Sequence, residues 1–226
     1  MLPEYKEIWQ ETLGWCPSSE QQQQFEQLYQ GILAGNRQLN LTRITDPEAF
    51  WEKHLWDSLR GVSPLGWETL ANASIIDIGT GGGFPGLPCA IALPEAKITL
   101  LDGTQKKIAY LKMLTAKLAR SQIKTVAARA ETLGKQPDYS QQYDLALLRA
   151  VASVTACTEY AFPFLKAGGT AVLYRGRWSE EEAAALQRSL QKLGGKLEAV
   201  ESFSTPLTGS ERNCLYLKKT EGMKKL

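Results

Sequence analysis

Histidine is almost absent from this sequence, and its cysteines do not form metal-binding pairs. His54 is the only histidine in 226 residues, which excludes sites built from several histidines. The four cysteines (Cys16, Cys89, Cys157 and Cys214) lie far apart without a CxxC motif. Scattered cysteines favour a reducing compartment over a disulfide framework or a zinc site. We therefore expect a cytoplasmic protein that holds no metal.

Long apolar runs are also missing. No stretch approaches the length needed to cross a bilayer, and the acidic and basic residues near the N-terminus are unlike a secretory leader. With 43% hydrophobic and 22% charged residues, the composition is that of an ordinary soluble globular protein. The sequence therefore predicts no association with a membrane.

The net charge of +2 is too small to indicate nucleic-acid binding by itself, but the positive charges are clustered. One cluster comprises Lys106, Lys107, Lys112, Lys117, Arg120 and Lys124, and a second comprises Arg175, Arg177, Lys218, Lys219, Lys224 and Lys225. A solvated helix face and a phosphate-binding surface explain such clusters equally well.

Residues 1–70 are predicted to form a helical cap on the main domain. Ser18 precedes an amphipathic segment whose apolar residues share one helical stripe, and Gly35-Asn36 is a plausible stop. Residues 45–48 (TDPE) then suggest a capping box with proline in the first turn of a second helix. His54 and Asp57 lie on one stripe of this helix.

From residue 74 the pattern alternates between strands and helices. The predicted strands are 74–78, 97–102, 124–128, 143–148, 169–174, 196–203 and 213–218, and the main predicted helices are 105–119, 151–165 and 179–193. Short apolar strands separated by helices indicate a parallel sheet covered on both faces. The short connection between the last two strands favours an antiparallel return. We expect a Rossmann-like α/β domain over residues 71–226, with seven mostly parallel strands and an antiparallel last strand.

A glycine-rich loop follows the first strand and fits two cofactor motifs. Gly81, Gly83 and Gly86 match the dinucleotide pattern GxGxxG, whereas Asp77 and the glycines after it match DxGxGxG, which is used for S-adenosylmethionine. Asp77 would repel a pyrophosphate but suits the ammonium group of S-adenosylmethionine. Asp102, at the end of strand two, can accept ribose hydroxyls of either ligand. Glu131 suits recognition of an adenine edge, and the combination favours the methyl donor.

Several motifs in order resemble the bacterial small-subunit ribosomal RNA guanine-N7 methyltransferases, also called the glucose-inhibited division protein B family. They are residues 40–42 (NLT), 54–58 (HLWDS), 77–88 (DIGTGGGFPGLP), 129–131 (RAE), 149–152 (RAVA) and 212–213 (RN). The resemblance implies a class I methyltransferase that uses S-adenosylmethionine to methylate N7 of a guanine in the 530 loop of 16S rRNA, with the RNA or the 30S subunit as partner.

Site residues follow from the glycine motif and this resemblance. The expected donor-binding residues are Asp77, Gly79, Gly81, Phe84, Asp102, Gly103, Thr104, Ala130, Glu131 and Arg149, and the expected RNA-binding residues are Lys106, Lys107, Arg175, Arg177 and Arg212. The family commonly has serine where Gly103 stands, so a hydroxyl contact would move to Thr104. It commonly has lysine where Arg175 stands, and the two cations meet phosphate with different geometry.

The proposed chemistry needs no general base, because N7 of guanine carries a lone pair and no proton. Arg149 and His54 are candidates for positioning, not for acid–base catalysis. For His54, hydrogen bonding to Asp57 or Ser58 is the simpler interpretation. Cys89, Cys157 and Cys214 are expected in the core.

Other functions remain open from the residues alone. A nicotinamide-dependent oxidoreductase would need a proton donor, for which His54 is the only histidine available. A non-catalytic RNA-binding or regulatory protein and a small-molecule methyltransferase are further alternatives.

Overall fold

The structure is a computed structural model that describes residues 1–118 and 122–220. Ala119, at the end of a predicted helix, and Arg120, Lys224 and Lys225 of the basic clusters lie outside the described residues. Within the described part of the chain, no helix is both long enough and apolar enough to cross a membrane.

Two helices open the chain: α1 (Lys6–Leu13) and α2 (Ser19–Leu39). α2 begins after Ser18, as the sequence predicted. Ser18 caps the helix in a reciprocal capping box with Gln21. The predicted stop at Gly35-Asn36 is wrong, because α2 continues to Leu39. Gly35 is instead a packing position, since a Cβ there would lie 2.4 Å from the ring of Tyr110.

The next helical segment changes its geometry twice. It runs as α3 (Pro47–Phe50), a π-helical turn (Trp51–Trp56) and α4 (Asp57–Arg60). Its capping residue is Asp46, whose carboxylate accepts from the Ala49 amide at 2.9 Å, so the capping box predicted from Thr45 is off by one residue. The reason is that Pro47 occupies the first helical position, which leaves the residue before it as the cap. A 3₁₀ turn (Ser63–Leu65) and α5 (Trp67–Leu70) complete the extension.

A seven-stranded sheet follows, in the order β3-β2-β1-β4-β5-β7-β6. Its strands are β1 (Ser74–Ile78), β2 (Lys97–Asp102), β3 (Ile123–Ala127), β4 (Tyr143–Arg149), β5 (Leu165–Arg175), β6 (Gly195–Ser204) and β7 (Glu211–Lys219). β1 to β5 pair in parallel, whereas β7 is antiparallel to both of its neighbours. The predicted fold class, including the antiparallel last strand, is confirmed.

The helices between the strands are α6 (Gly86–Ala92), α7 (Gln105–Lys117), α8 (Ala130–Leu133), α9 (Val154–Ala161) and α10 (Glu180–Leu193). α9 is shorter than predicted at both ends. It begins after Ser153, whose hydroxyl accepts from the Ala156 amide, and the residues before it form a loop in which Ala150 has a φ of 55°. At its other end the chain turns early into β5.

Two hydrophobic cores cover the two faces of the sheet. One joins the helical extension to the sheet and includes Trp9, Phe25 and Trp51 together with Leu87 and Leu100. The second lies under α9 and α10. The extension therefore packs on one face of the sheet and brings its π-helical turn close to the glycine loop, where His54 of that turn contacts the ring of Phe84.

Candidate functional site

The glycine loop turns sharply at the carboxyl end of β1. Gly79, Gly81 and Gly83 have φ values of 73°, 58° and 97°, which glycine adopts without the strain that a side chain imposes. The amide of Gly79 donates to the Leu101 carbonyl at 2.8 Å, so the loop is fixed to the end of β2. A Cβ at Gly79 would lie 2.8 Å from a methyl group of Val151. The loop is thus closely packed on one side.

Asp77 is fully buried beneath this loop and binds it directly. One carboxylate oxygen accepts from the Thr80 hydroxyl at 2.6 Å and from the Gly86 amide at 2.8 Å. Burial raises the pKa of Asp77 to about 6, although the hydrogen bonds from Thr80 and Gly86 oppose that rise. The other oxygen is buried and has no partner within the described chain. Asp77 therefore shapes the loop and keeps one buried oxygen without a partner among the described residues.

Asp102 also organises the loop. One of its oxygens accepts from the Gly81 amide at 2.9 Å, and the other accepts from the Thr104 amide at 2.8 Å. Thr104 occupies the N-cap position of α7 without a side-chain hydrogen bond to the helix, and Gly103 between Asp102 and Thr104 is exposed. The Asp102 carboxylate is therefore held in a fixed orientation at the end of β2.

A crevice of about 90 Å³ lies at this edge of the sheet. It is lined by Ile78, Gly79, Leu101, Asp102, Gly103, Ala128, Arg129, Ala130, Glu131, Val151 and Tyr160. Five predicted donor-binding residues thus come together here. Sequence reasoning missed Tyr160, because α9 follows the motif by many residues and a single tyrosine carries no pattern. The negative charge of Glu131 and a hydrogen bond to it raise the pKa of Tyr160.

A larger cavity of about 660 Å³ lies between the extension and the ends of β4, β5 and β7. It is lined by Ile44, Lys53, His54, Asp57, Arg149, Ala150, Tyr174, Arg175, Gly176, Arg177, Glu182, Phe203, Arg212, Asn213 and Cys214. This set contains both positioning candidates and three of the predicted RNA-binding residues. Lys106 and Lys107, in the first turn of α7, belong to neither lining.

Arg149 joins the sheet to the extension at the centre of this cavity. One guanidinium nitrogen donates to the Lys53 carbonyl at 2.8 Å and to the Asp57 carboxylate at 3.1 Å. The other terminal nitrogen lies 3.2 Å from Nδ1 of His54. The second Asp57 oxygen lies 3.6 Å from Nε of Arg212, so one carboxylate holds two guanidinium groups side by side.

His54 is held as a neutral ring. Arginine can only donate, so Nδ1 accepts from Arg149, and Nε2 therefore carries the proton towards the Thr42 hydroxyl at 2.7 Å. Burial, with the charges of Arg149 and Lys53, lowers the pKa of His54 to about 3. The ring stacks on Phe84 at 4.3 Å. Of the expected hydrogen bonds to Asp57 or Ser58, one is formed at the main chain, where the Ser58 hydroxyl donates to the His54 carbonyl at 2.5 Å. The ring itself bonds neither residue, because it points towards Phe84 and β4.

Glu52 is a further buried carboxylate, and sequence reasoning missed it. It accepts from the amides of Leu207 and Thr208 at 2.7 and 2.8 Å and from the Thr208 hydroxyl at 2.8 Å. Burial tends to raise the pKa of Glu52, but these hydrogen bonds outweigh it and hold the pKa below its usual value. Glu52 thereby anchors the β6–β7 loop that leads to Arg212. No local signal reveals a contact that spans 156 residues.

The cysteines lie where the sequence predicted. Cys89, Cys157 and Cys214 are buried, and burial raises the pKa of each thiol. A thiol with a raised pKa is a poor nucleophile. These residues therefore belong to the core.

Comparisons with known proteins agree on one family. The family profile described as "rRNA small subunit methyltransferase G" matches residues 21–214. The protein named ribosomal RNA small subunit methyltransferase G from Nostoc punctiforme is 56% identical over 221 residues, covering 97% of this chain and 91% of the relative. The protein of the same name from Trichormus variabilis is 55% identical over 222 residues, with the same coverage.

Solved structures share the fold at low sequence identity. TrmN from Thermus thermophilus has a TM-score of 0.53 at 19% identity, covering 78% of this chain and 55% of that one. A branched-chain polyamine synthase variant from the same organism, in complex with 5′-methylthioadenosine, has a TM-score of 0.58 at 13% identity, covering 74% of this chain and 57% of that one. These likenesses establish the fold alone.

The crevice offers groups that fit S-adenosylmethionine, which supplies a methyl group on a positively charged sulfur. Asp102 and Glu131 line it with carboxylates that can accept hydrogen bonds from hydroxyl and amino groups, and Asp77 beneath the loop has one buried oxygen without a partner among the described residues. At Gly81 a Cβ would meet nothing closer than 3.9 Å, so the loop leaves open space beside its backbone. The chain belongs to the rRNA small subunit methyltransferase G family, and S-adenosylmethionine is its cofactor.

Proposed function

We propose that this protein methylates N7 of a guanine in the 530 loop of 16S rRNA, in direct transfer without a general base. One observation carries the proposal: among the described residues that line the larger cavity, each carboxylate is paired with arginine. Asp57 lies beside Arg149 and Arg212, and Glu182 beside Arg175. His54 is neutral and engaged at both ring nitrogens.

Such a cavity suits an acceptor that needs no deprotonation. N7 of guanine attacks through its lone pair, so the protein has only to align it with the methyl group and tolerate positive charge on the purine. An exocyclic amine or a carbon atom would require a base or a nucleophile in addition. The target base must leave its stack to react, and 660 Å³ is room enough for a flipped nucleotide.

We assign the donor to the crevice and the loop above it. Gly79, Gly81 and Phe84 would lie along the donor, and Asp77 would face its ammonium group. Asp102, Gly103 and Thr104 would hold the ribose, and Ala130 and Glu131 would hold the adenine. Arg149 would stand at the boundary, since Arg149 and Ala150 line the larger cavity and Val151 lines the crevice.

RNA would enter at the larger cavity. Arg177 is exposed and Arg212 half-buried at its lining, where their charges can meet phosphates. Lys106 and Lys107 would attract RNA from further away. The four free cysteines support a reducing compartment, and we propose the cytoplasm.

The test uses tritiated donor with 30S subunits and, separately, naked 16S rRNA, both from cells that lack this methylation. Labelled RNA is then cleaved at 7-methylguanine and the site mapped. Label at one guanine of the 530 loop supports the proposal, and the two substrates show which form is recognised. Label at another base or atom overturns the specificity. RNA binding without any transfer would favour a non-catalytic role.

A further inference from the structure

Arg175 lies in the larger cavity but has little of its guanidinium free. One terminal nitrogen donates to the Ala152 carbonyl at 3.0 Å, and the other forms an ion pair with Glu182 in the first turn of α10. Its Nε is buried, and no partner for it lies in the part of the chain that the structure describes. A phosphate could reach Arg175 only against the negative charge of Glu182.

The carbonyl that Arg175 holds belongs to the loop between β4 and α9, residues 150–153. Ala150 in this loop has a φ of 55°, which is unfavourable for alanine and must be maintained by surrounding contacts. The Ala152 carbonyl also accepts from the Cys157 thiol at 3.6 Å. Arg175 therefore fixes a strained loop from the cavity side.

The same loop forms a wall of the donor crevice. Val151 lines the crevice and packs against Gly79, where a Cβ would come within 2.8 Å of it. A shift of residues 150–152 would move Val151 relative to the glycine loop. The chain of contacts thus runs from Glu182 through Arg175 and Ala152 to Val151 and Gly79.

We infer that Arg175 is a positioning residue, not an RNA contact: paired with Glu182, it holds the 150–153 loop so that Val151 completes the donor crevice. The inference rests on the proposed placement of the donor in that crevice. It changes the role of Arg175, which was predicted to bind RNA, and it gives Glu182 the role of holding the Arg175 side chain in place.

The test measures donor affinity by calorimetry without RNA, so it does not depend on which base is methylated. The variants are Arg175→Met, Glu182→Gln and the double variant, with Arg177→Met as the matched control because Arg177 is the exposed arginine two residues away. Gly79→Ala tests separately whether the donor binds in the crevice. Thermal unfolding confirms that each variant folds.

We expect Arg175→Met and Glu182→Gln each to weaken donor binding about tenfold, the size of one hydrogen bond to a charged group. The double variant should bind no more weakly than Arg175→Met, because the two residues act through one contact. Arg175→Lys should lie between wild type and Arg175→Met, since one ammonium can keep one of the two partners. None of these changes should alter the salt dependence of RNA binding.

Arg177→Met should behave in the opposite way. It should keep donor affinity and make the fall of log K for RNA with log salt shallower, reducing the magnitude of that slope by about one. The inference is overturned if Arg175→Met lowers that slope by about one while Glu182→Gln strengthens RNA binding, or if donor affinity is unchanged in both. If Gly79→Ala leaves donor binding intact, the proposed donor placement fails, and the inference with it.

Discussion

The donor crevice and the larger cavity adjoin, but they are built in different ways. The crevice loop is held within itself and by the neighbouring strand of the sheet: Asp77 binds Thr80 three positions on, and Asp102 binds Gly81 across 21 positions. In the larger cavity Arg149 binds Asp57 across 92 positions. The crevice is therefore built within the sheet domain alone, whereas the larger cavity exists only when the helical extension packs on the sheet.

Because of this difference, we expect substitutions to affect the binding of the methyl donor and of the RNA acceptor separately. Loss of a contact between extension and sheet should damage the acceptor side and leave the donor side largely intact. A change in the glycine loop should do the reverse.

The largest effect is expected from Arg149→Met. The change leaves Asp57 with Arg212 alone at 3.6 Å and deprives Nδ1 of His54 of its donor. Breaking a buried ion pair costs about 3–5 kcal/mol, and methyl transfer should fall by about a hundredfold or more because the acceptor wall is lost. Donor affinity should fall less than tenfold. Chemical denaturation, calorimetry and single-turnover rates measure the three quantities.

Arg188→Met is the control for this prediction, because Arg188 is an exposed arginine on α10. It removes the same charge and should change the free energy of unfolding by no more than about 0.5 kcal/mol, as surface substitutions usually do. The methyl-transfer rate should stay within about twofold of wild type, because about 0.5 kcal/mol corresponds to roughly that factor. A normal rate in Arg149→Met, or a collapse of donor affinity equal to the loss in rate, would contradict the separation of the two sites.

Gly79→Ala and Gly81→Ala form a matched pair within the donor loop. Both positions have positive φ, but only at Gly79 would a Cβ collide, 2.8 Å from Val151. Left-handed alanine costs about 1–2 kcal/mol and overpacking a further 1–3. Donor binding should weaken by about thirtyfold or more in Gly79→Ala and by about tenfold or less in Gly81→Ala. Equal losses would mean that the contact with Val151 is unimportant.

The same contrast explains what the sequence could predict. Alternating strands and helices predicted the sheet and its antiparallel last strand, and Gly79, Asp102 and Glu131, each predicted at or after the end of a strand, line one crevice. Both signals are local. Motifs identified His54 and Arg149 as important residues, but their partners could not be predicted, because the π-helical turn and the packing of the extension decide where the ring of His54 points.

Two failures have a different cause. Gly35 has the chemistry of a helix stop but is used for close packing against Tyr110. The capping box from Thr45 fits the motif, yet Pro47 fixes the first turn and makes Asp46 the cap. In both cases the residue type is compatible with two structural roles, and contacts that the local sequence pattern does not show decide which role it has.

The pH dependence of stability tests whether His54 is buried and neutral. Its folded pKa of about 3 lies below the value of about 6.5 for an unfolded histidine. Its contribution is therefore fully present above pH 6.5 and is lost as pH falls towards 3. The stability lead of wild type over His54→Gln should shrink by about 2 kcal/mol between pH 8 and pH 5.

The comparison with His54→Gln is needed because Asp77 has the opposite trend. Its raised pKa of about 6 favours the folded state as pH falls from 6 towards 4. A pH profile of the wild type without the variant would therefore show the effects of His54 and Asp77 partly cancelling. Both proteins contain Asp77, so the difference isolates His54. A lead that stays constant with pH would mean that His54 titrates in the folded protein as it does in the unfolded chain, and a lead that grows as pH falls would mean that the folded protein holds the ring protonated.

The smallest effect is expected from Lys106→Gln and Lys107→Gln, which lie outside both linings. At the N-terminal turn of α7 they add to the positive end of the helix, so they should attract RNA without contacting the target nucleotide. Each change should weaken rRNA binding by about threefold or less at physiological salt and leave the rate at saturating RNA unchanged. Arg212→Met should cost more, because Arg212 lines the cavity beside Asp57. If the lysine variants lose more affinity than Arg212→Met, RNA binds across α7, and the larger cavity is not its main contact surface.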